Sequence, residues 1–591
     1  MTDRLLITTS IESTWSKNNE PVLFLGEWCK LYSRYDIWSE MDSCVVPYHW
    51  DDRKKLYKDF LHLENLYEHI LQELSEKLNS IHGVNYSLRY WRILIGPWLI
   101  SFIPILFDRF ACLEKAISSY GISKTLVLDY SNLEPIPEDM EHFDLLMKTD
   151  QWNHFIYTNI LKKIDSVKII NIEKTISHKM PKKLDDSNDK FSLRGLILKI
   201  ASKLTNFFSG NSSVFIIDSY LRKFDLLKLQ LRLFQFPALY YSPDWEKSKP
   251  DMKAREWKLS NSRNKSSFEE ILRELIPLQI PVAYLEGYEK LNEKSTKVLW
   301  PKTPKLIWTT NAIFSEEVFK IWAANKSESG VPIILGQHGG VYGIGLFSVI
   351  VSHELNICDF FLSWGSSKWD SSKNSQKIIP IGIFKKYNKR QEKSSVLMIT
   401  SDISRFPNNI VSFPMGGQWL YAAENEFRFV SLLPEYILKD FIVRPFINKY
   451  GWNQYQRWRD NFPKINIDSG EVRLQNLFLK SKISITTWNA TTYLETLSLN
   501  IPTMMFWDPK FFEIKKSSEK YFDMLKQVGI FHETPESAAN HLIKIWGDID
   551  GWWESSEVIK AKEVFIQRYA NNDDLLGKLT KVLKDPDNSM N

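Results

Sequence analysis

Cysteine is scarce in this chain: Cys29, Cys44, Cys112 and Cys358 are the only four in 591 residues. None forms a Cys-x-x-Cys pair, and the spacings fit no zinc pattern. A secreted protein of this size stapled by disulfides would carry more, so reduced thiols and a cytoplasmic location are expected. Net charge is equally thin. The 76 basic and 71 acidic groups leave only +5. That excess is too small, and too evenly spread, to argue for a nucleic-acid partner. Long apolar runs are missing as well. The N-terminus, Met1-Thr-Asp-Arg-Leu-Leu-Ile, lacks the apolar core of a signal peptide. The longest apolar stretch, 93–107, contains Gly96, Pro97 and Pro104. It falls short of the roughly 20 residues that cross a bilayer, and it reads as a buried, interrupted helix. There is no phosphate-binding GxxxxGK loop, no HExxH and no GxSxG. No convincing Asp-x-Asp metal site is present either, so a metal-independent reaction without a cofactor is expected.

What is present is ordinary in balance, with 43% apolar and 25% charged residues, but rich in aromatics at 14%, including 22 Trp. Such rings serve a large core as well as a site that stacks bases or sugars. The length implies about two to four domains. Short apolar runs at 4–9, 21–26 and 125–129 read as buried strands, and 53–82 has helical periodicity. Residues 193–208 form a basic amphipathic pattern. It suits either a membrane-surface helix or a helix packed on its own domain. Strands are expected at 214–218, 280–285, 306–308, 332–336, 360–363 and 378–382, alternating with helices near 224–234 and 316–326. A polar, basic stretch at 385–393 reads as a hinge. Beyond it the pattern resumes, with strands at 396–400, 441–445, 465–468, 483–486 and 503–506, and helices near 421–438, 472–479 and 491–499. Strands alternating with helices mean parallel sheets joined by crossover helices. The expected class is α/β with two Rossmann-like lobes and a cleft between them. The first lobe spans 1–385, with helical insertions near 53–120 and 181–210, and the second spans 386–591 with terminal helices. Domain clefts are common small-molecule sites.

Four segments could carry chemistry. In 483–507 a strand ends in Thr486-Thr487-Trp488-Asn489 and opens a helix at Thr491-Thr492. Free backbone N–H groups and the helix dipole favour an anion there. Glu495, about one turn on, could accept hydrogen bonds from ribose hydroxyls. Capping hydroxyls and a surface carboxylate are the bland alternative. The second segment, Gly336-Gln-His-Gly-Gly-Val-Tyr-Gly-Ile-Gly345, places His338, Gly339 and Gly340 at a strand end. Glycines allow close backbone approach, and a histidine can act as acid, base or phosphate donor. Third, Arg444 precedes Pro445 at a strand end, where it could grip phosphate bidentately or simply form an ion pair. Fourth, Glu27, Asp51 and Asp52 lie near His49, and Glu27 or Asp52 is the expected base or nucleophile. Arg89 and Arg92, flanking Tyr90-Trp91, could face an anionic acceptor.

Read as a whole, 486–502 resembles the donor-binding element of glycosyltransferases of the GT-B fold, a hydroxyl-rich turn with Glu inside the helix and a Pro before the returning strand. Pro21–Cys29, Pro47-Tyr-His-Trp-Asp-Asp52, Arg89–Trp98 and Gln337–Gly343 are similar to a family of transferases encoded in bacterial O-antigen and lipopolysaccharide clusters. The resemblance covers most of the chain. It implies a GT-B-like, nucleotide-sugar-dependent glycosyltransferase with a glycan or lipid-linked acceptor, in peripheral contact with the inner face of the inner membrane. Related capsule and teichoic-acid transferases carry similar His-Gly turns. Transferases using nucleotide-activated acidic sugars often carry a basic residue before Pro, usually His, so Arg444-Pro445 leaves an acidic sugar carried on CMP open as the donor. A polyol-phosphate transferase or sugar-nucleotide epimerase of the same fold, and a non-catalytic scaffold in polysaccharide assembly, are the alternatives.

Overall fold

A computed structural model describes residues 3–15, 20–129, 135–172, 210–211, 213–259, 267–365, 369, 378–383, 394–571 and 573–587. The amphipathic pattern at 193–208, nearly all of the 181–210 insertion and the hinge at 385–393 lie outside the described residues. Three sheets form, and every strand pair in them is parallel. The α/β class with parallel sheets is therefore as expected. Two of the three sheets fall within 1–385.

The first sheet holds β1 (Arg4–Ile7), β2 (Val22–Phe24), β3 (Ser43–Val45), β4 (Ile122–Leu128) and β5 (Ile169–Ile172), in the order β3-β2-β1-β4-β5. The second holds β6 (Phe215–Ile217), β7 (Ile307–Thr309), β8 (Ile333–Gly336), β9 (Phe360–Ser363) and β10 (Ile378–Pro380), in one unbroken progression from β10 to β6. The third holds β11 (Ser395–Ile399), β12 (Phe441–Arg444), β13 (Asn466–Ile467), β14 (Ser481–Thr486), β15 (Thr503–Phe506) and β16 (Phe531–His532), in the order β13-β12-β11-β14-β15-β16. The first and third sheets thus reverse direction, between β1 and β4 and between β11 and β14. In such sheets the crevice beyond the carboxyl ends at the reversal is where ligands collect.

The long helix Arg53–His82 begins where the Asp52 carboxylate accepts from the Lys54 and Lys55 N–H groups, both at 3.0 Å. It stops at Gly83, whose left-handed backbone ends the helix. Leu56, Phe60, Leu63, Tyr67, Ile70 and Leu74 bury one stripe of it. The next helix, Leu88–Ser119, runs uninterrupted through Pro97 and Pro104, which corrects the expected interruption. Each proline removes one backbone N–H, but the helix continues through both, with residues 93–106 buried throughout. It is long and apolar enough to span a membrane, yet 94% of that stretch is buried inside the protein. It touches Arg53–His82 and Asp150–Ile164 on the first-sheet side, and Glu317–Glu328 and Val349–Ile357 on the second-sheet side. Gly96 allows this closeness, since a Cβ there would lie 2.5 Å from the His353 ring.

Two further expectations are corrected. The run 280–285 is not a strand. Val282–Tyr284 forms a single 3-10 turn, with the Val282 and Ala283 N–H groups donating to the Pro137 and Glu138 carbonyls. The helix expected over 421–438 is two, Gln418–Ser431 and Glu435–Leu438, divided at Pro434. The second and third sheets are tied by antiparallel bridges, Gly345 with Ile514 and Ser348 with Val411. The last helix, Leu575–Lys584, crosses back to pack on Lys223–Arg232 beside the second sheet.

Candidate functional site

The crevice at the reversal of the first sheet is filled. The Trp28 and Trp15 indole N–H groups donate to the carbonyls of Thr8 and Thr9, at 3.1 and 3.2 Å. Arg405, from the loop after β11, reaches in to the Trp28 carbonyl and the Asp150 carboxylate. His154 sits between Thr8 Oγ1 and the Leu128 N–H, each 3.2 Å away. Burial pushes its pKa down to about 4, so it is neutral.

The glycine-rich turn follows β8. Gln337 holds its shape, donating to the Gly339 carbonyl at 2.8 Å and accepting from the Trp364 N–H at 2.9 Å. His338 Nε2 then lies 2.9 Å from Glu354 Oε1, on the helix Val349–Ile357. The Tyr342 hydroxyl donates to Glu354 Oε2 at 2.7 Å and lies 2.5 Å from His338 Nε2. Burial alone would lower the His338 pKa. The Glu354 carboxylate and the charge of Asp218 outweigh it, and the net direction is upward. Asp218, just past β6 with a left-handed backbone (φ 47°), is itself raised by partial loss of water, against the pull of His338. With Nε2 committed to Glu354, any further proton exchange by the ring would use Nδ1.

The hydroxyl-rich segment meets this turn directly. The Gly340 N–H donates to Thr491 Oγ1 at 3.1 Å. A Cβ on Gly340 would lie 2.2 Å from the Ala490 carbonyl oxygen, so only glycine allows the approach. A Cβ on Gly339 would lie 3.9 Å from the same Thr491 hydroxyl. Helix Thr491–Ser498 begins after Ala490, which offers no side-chain cap, so its first N–H groups have no capping oxygen from that residue. Thr486 Oγ1 is buried and has no partner among the described residues. Thr487 donates to Glu426 Oε1 at 2.5 Å, and Asn489 Oδ1 accepts from the Tyr493 hydroxyl at 2.9 Å. Thr492 is half-buried at the helix start and Glu495 is buried one turn on. The two strongest sequence signals thus form one structure at the reversal of the third sheet.

Beneath them lies an acidic pair that the sequence reading misses. Burial pushes Glu426 up to about 8; the Thr487 hydrogen bond opposes this and the charge of Asp402 adds to it. Asp402, just beyond β11, is pushed up to about 7 by burial, against backbone N–H groups and Arg457. Asp402 also lines a cavity of about 430 Å³ beyond β11 and β12, with Phe446, Gln454, Tyr455 and Asp468.

The remaining expected residues are placed elsewhere or already engaged. Arg444 is buried in an ion pair with Asp468 and donates to the Val472 carbonyl at 3.0 Å. Burial lowers its pKa. Glu27 pairs with Lys30 at 3.2 Å and packs on Gly417. Asp52 is a helix cap, and Asp51 accepts from Gln418 at 2.9 Å. Neither Glu27 nor Asp52 is among the residues that hold the His338 turn. Arg89 pairs with Asp359 at 2.6 Å, and Arg92 makes a two-pronged pair with Glu68 at 2.5 and 2.6 Å. His49, Asp108 and Cys112 bring ligand-type atoms within 4.8 Å of one another. Asp108 there is already neutralised by Arg109 at 2.6 Å and bonded by the Tyr48 hydroxyl at 2.7 Å, so the trio is a buried polar network.

No curated protein matches this sequence. Among solved structures it is similar to the wall teichoic acid polymerase TagF, at 11% identity over 66% of this chain and 92% of that one, TM-score 0.32. It is similar to a protein described as a UDP-N-acetylglucosamine 2-epimerase from Listeria monocytogenes, at 9% identity over 64% and 97%, TM-score 0.38. It is also similar to MurG from Acinetobacter baumannii, at 10% identity over 63% and 99%, TM-score 0.32. A model of the LIC12162 family transferases matches residues 4–583, from the first strand into the last helix, and the chain belongs to that family.

Proposed function

We propose that this transferase moves a sugar from a nucleotide-activated donor to a hydroxyl of a glycan or lipid-linked acceptor in bacterial surface polysaccharide synthesis. The observation that carries the reading is the Gly340–Thr491 contact, which joins a polarised histidine to an uncapped helix start. The second and third sheets act as the two lobes of a GT-B-like enzyme in the cytoplasm, and the first sheet buttresses them. The donor phosphate lies against the N–H groups of Thr491 and Thr492. Glu354 holds His338 with Nε2 protonated, so that Nδ1 takes the proton from the acceptor hydroxyl. The acceptor oxygen forms the new bond to the sugar as the bond to the departing phosphate breaks. The N–H groups and the imidazolium offset the charge that develops, and no metal or cofactor enters this scheme. Arg444 is neutralised by Asp468, so the reading assigns it to shaping the pocket beyond β12, and the specific case for a CMP-linked donor weakens.

The test is a thermal-shift screen of CMP, CDP, UDP, GDP and dTDP, followed by transfer assays with the labelled sugar of whichever nucleotide binds. At least one nucleotide should raise the melting temperature. His338→Asn should then lower transfer roughly 100-fold or more with binding intact. Glu354→Gln, which removes the charge raising the His338 pKa, should move the acid limb of the pH profile to lower pH. Failure of every nucleotide to stabilise the protein, or full turnover by His338→Asn, overturns the reading.

A further inference from the structure

Apolar side chains that face water cluster on one short segment beside the site. Helix Lys223–Arg232 presents Phe224, Leu227 and Leu231 outward, and 62% of Phe224 and 57% of Leu231 are exposed. The spacing puts all three on one face. The opposite face anchors the helix. Leu229 and Gln230 are buried, and the Gln230 amide clasps the Ala238 backbone at 2.7 and 3.1 Å. The loop that follows adds Phe234, 88% exposed, on a left-handed backbone. Apolar side chains clustered on one exposed helix face and the turn after it mark a contact surface.

Charge identifies the occupant. The helix carries Arg222, Lys223, Lys228 and Arg232 at or near its ends and edges. Its one acid, Asp225, is already paired with Arg222 at 2.7 Å. The Lys228 ammonium lies 4.4 Å from the centre of the Phe224 ring, and Lys584, from the helix packed alongside, lies 4.7 Å from that of Phe234. Apolar rings ringed by cations match the boundary between lipid chains and anionic headgroups, where rings insert and ammonium groups stay at the phosphate level. Along the chain the patch begins at Tyr220, itself exposed, two residues after Asp218 at the end of β6.

We infer that the Tyr220–Phe236 face docks on an anionic membrane surface and so brings the mouth of the His338 site to the lipid headgroups. The inference rests on surface chemistry and not on the donor reading, because vesicle binding is measured without donor or acceptor.

The full chain is sedimented with vesicles of phosphatidylethanolamine and phosphatidylglycerol, and separately with phosphatidylcholine alone. Binding is expected only to the anionic vesicles, falling as salt is raised. The triple variant Phe224→Ser, Leu231→Ser, Phe234→Ser and the charge variant Lys223→Glu, Lys228→Glu, Arg232→Glu should each lose binding at least roughly tenfold. Unchanged circular dichroism and melting temperature will show that both variants fold. Wild-type protein left in the supernatant with anionic vesicles overturns the inference. So do variants that bind as the parent does. A parent dimer in light scattering, dissolved by the apolar variant and indifferent to vesicles, would mean that the face meets a second copy and would also overturn it.

Discussion

Glu426 shows how a single buried group ties the site to pH. Its carboxyl is held from an ordinary 4.5 up to about 8 by burial, while the Thr487 hydroxyl donates to it at 2.5 Å. The folded protein therefore keeps a proton that the unfolded chain gives up near 4.5. The stabilising contribution is fully present below that value and is lost as pH rises through about 8. Asp402 acts in the same direction up to about 7. Urea unfolding at pH 6 and pH 8.5 should show the parent weakening over this interval. Glu426→Gln, which keeps a neutral group bonded to Thr487, should weaken measurably less. Equal losses in the two proteins would remove Glu426 from this role. The raised pKa of His338 at the neighbouring turn acts with the same sign, because a group that binds its proton more tightly in the folded state stabilises at low pH whatever the cause of the shift.

At the level of elements, the contact between the turn after β8 and the helix after β14 is the feature most exposed to a small change. Gly340→Ala would place a methyl group 2.2 Å from the Ala490 oxygen, and both partners are backbone. The turn or the helix start must shift, at a cost of roughly 1–3 kcal/mol. Donor binding and stability should fall together, read by nucleotide-induced thermal shift and by chemical unfolding. Retention of both would show that the contact can relax. This is also the scale at which the sequence is most and least legible. The strand at 503–506 is a nearly continuous apolar run, as parallel strands buried on both faces require, whereas 483–486 alternates Ile with Ser and Thr and is buried all the same. The run at 280–285 has the same look, but its N–H groups find Pro137 and Glu138 in place of a strand. Apolarity announces burial there without announcing what is buried. His338 is legible from its glycines. Its partner Glu354 is not, because a loop and the first turn of a helix lie between them and nothing local marks the pairing. Arg444 is conspicuous at its strand end, while the Asp468 that neutralises it sits on a different strand's loop. The same applies to Arg89 and Arg92, whose charges look available until Asp359 and Glu68 are brought beside them. Asp52 is the reverse case: an N-cap is readable from an Asp just before an apolar-periodic run, and that local role is the one the structure shows.

For the whole molecule, the loop after β11 locks the third sheet onto the first. Arg405 enters the filled crevice of the first sheet, and Arg109 donates to the Pro407 carbonyl at 2.7 Å. Arg53 joins Glu513 at 2.5 and 2.8 Å from the other side. Arg405→Met would leave Asp150 without its cation in a poorly hydrated place, at a cost of roughly 2–3 kcal/mol. A double-mutant cycle with Asp150→Asn should show strong coupling, and additive losses would mean that the pair does not hold the sheets together.

The helix Leu88–Ser119 has a consequence for how the protein is made. Its first neighbours, in Arg53–His82 and Asp150–Ile164, are translated close to it. Glu317–Glu328 and Val349–Ile357, which cover its other flank, emerge from the ribosome much later. Throughout that interval a segment apolar enough for a bilayer is clothed on one side only. The nascent chain is therefore a natural client for chaperones that shield apolar surface.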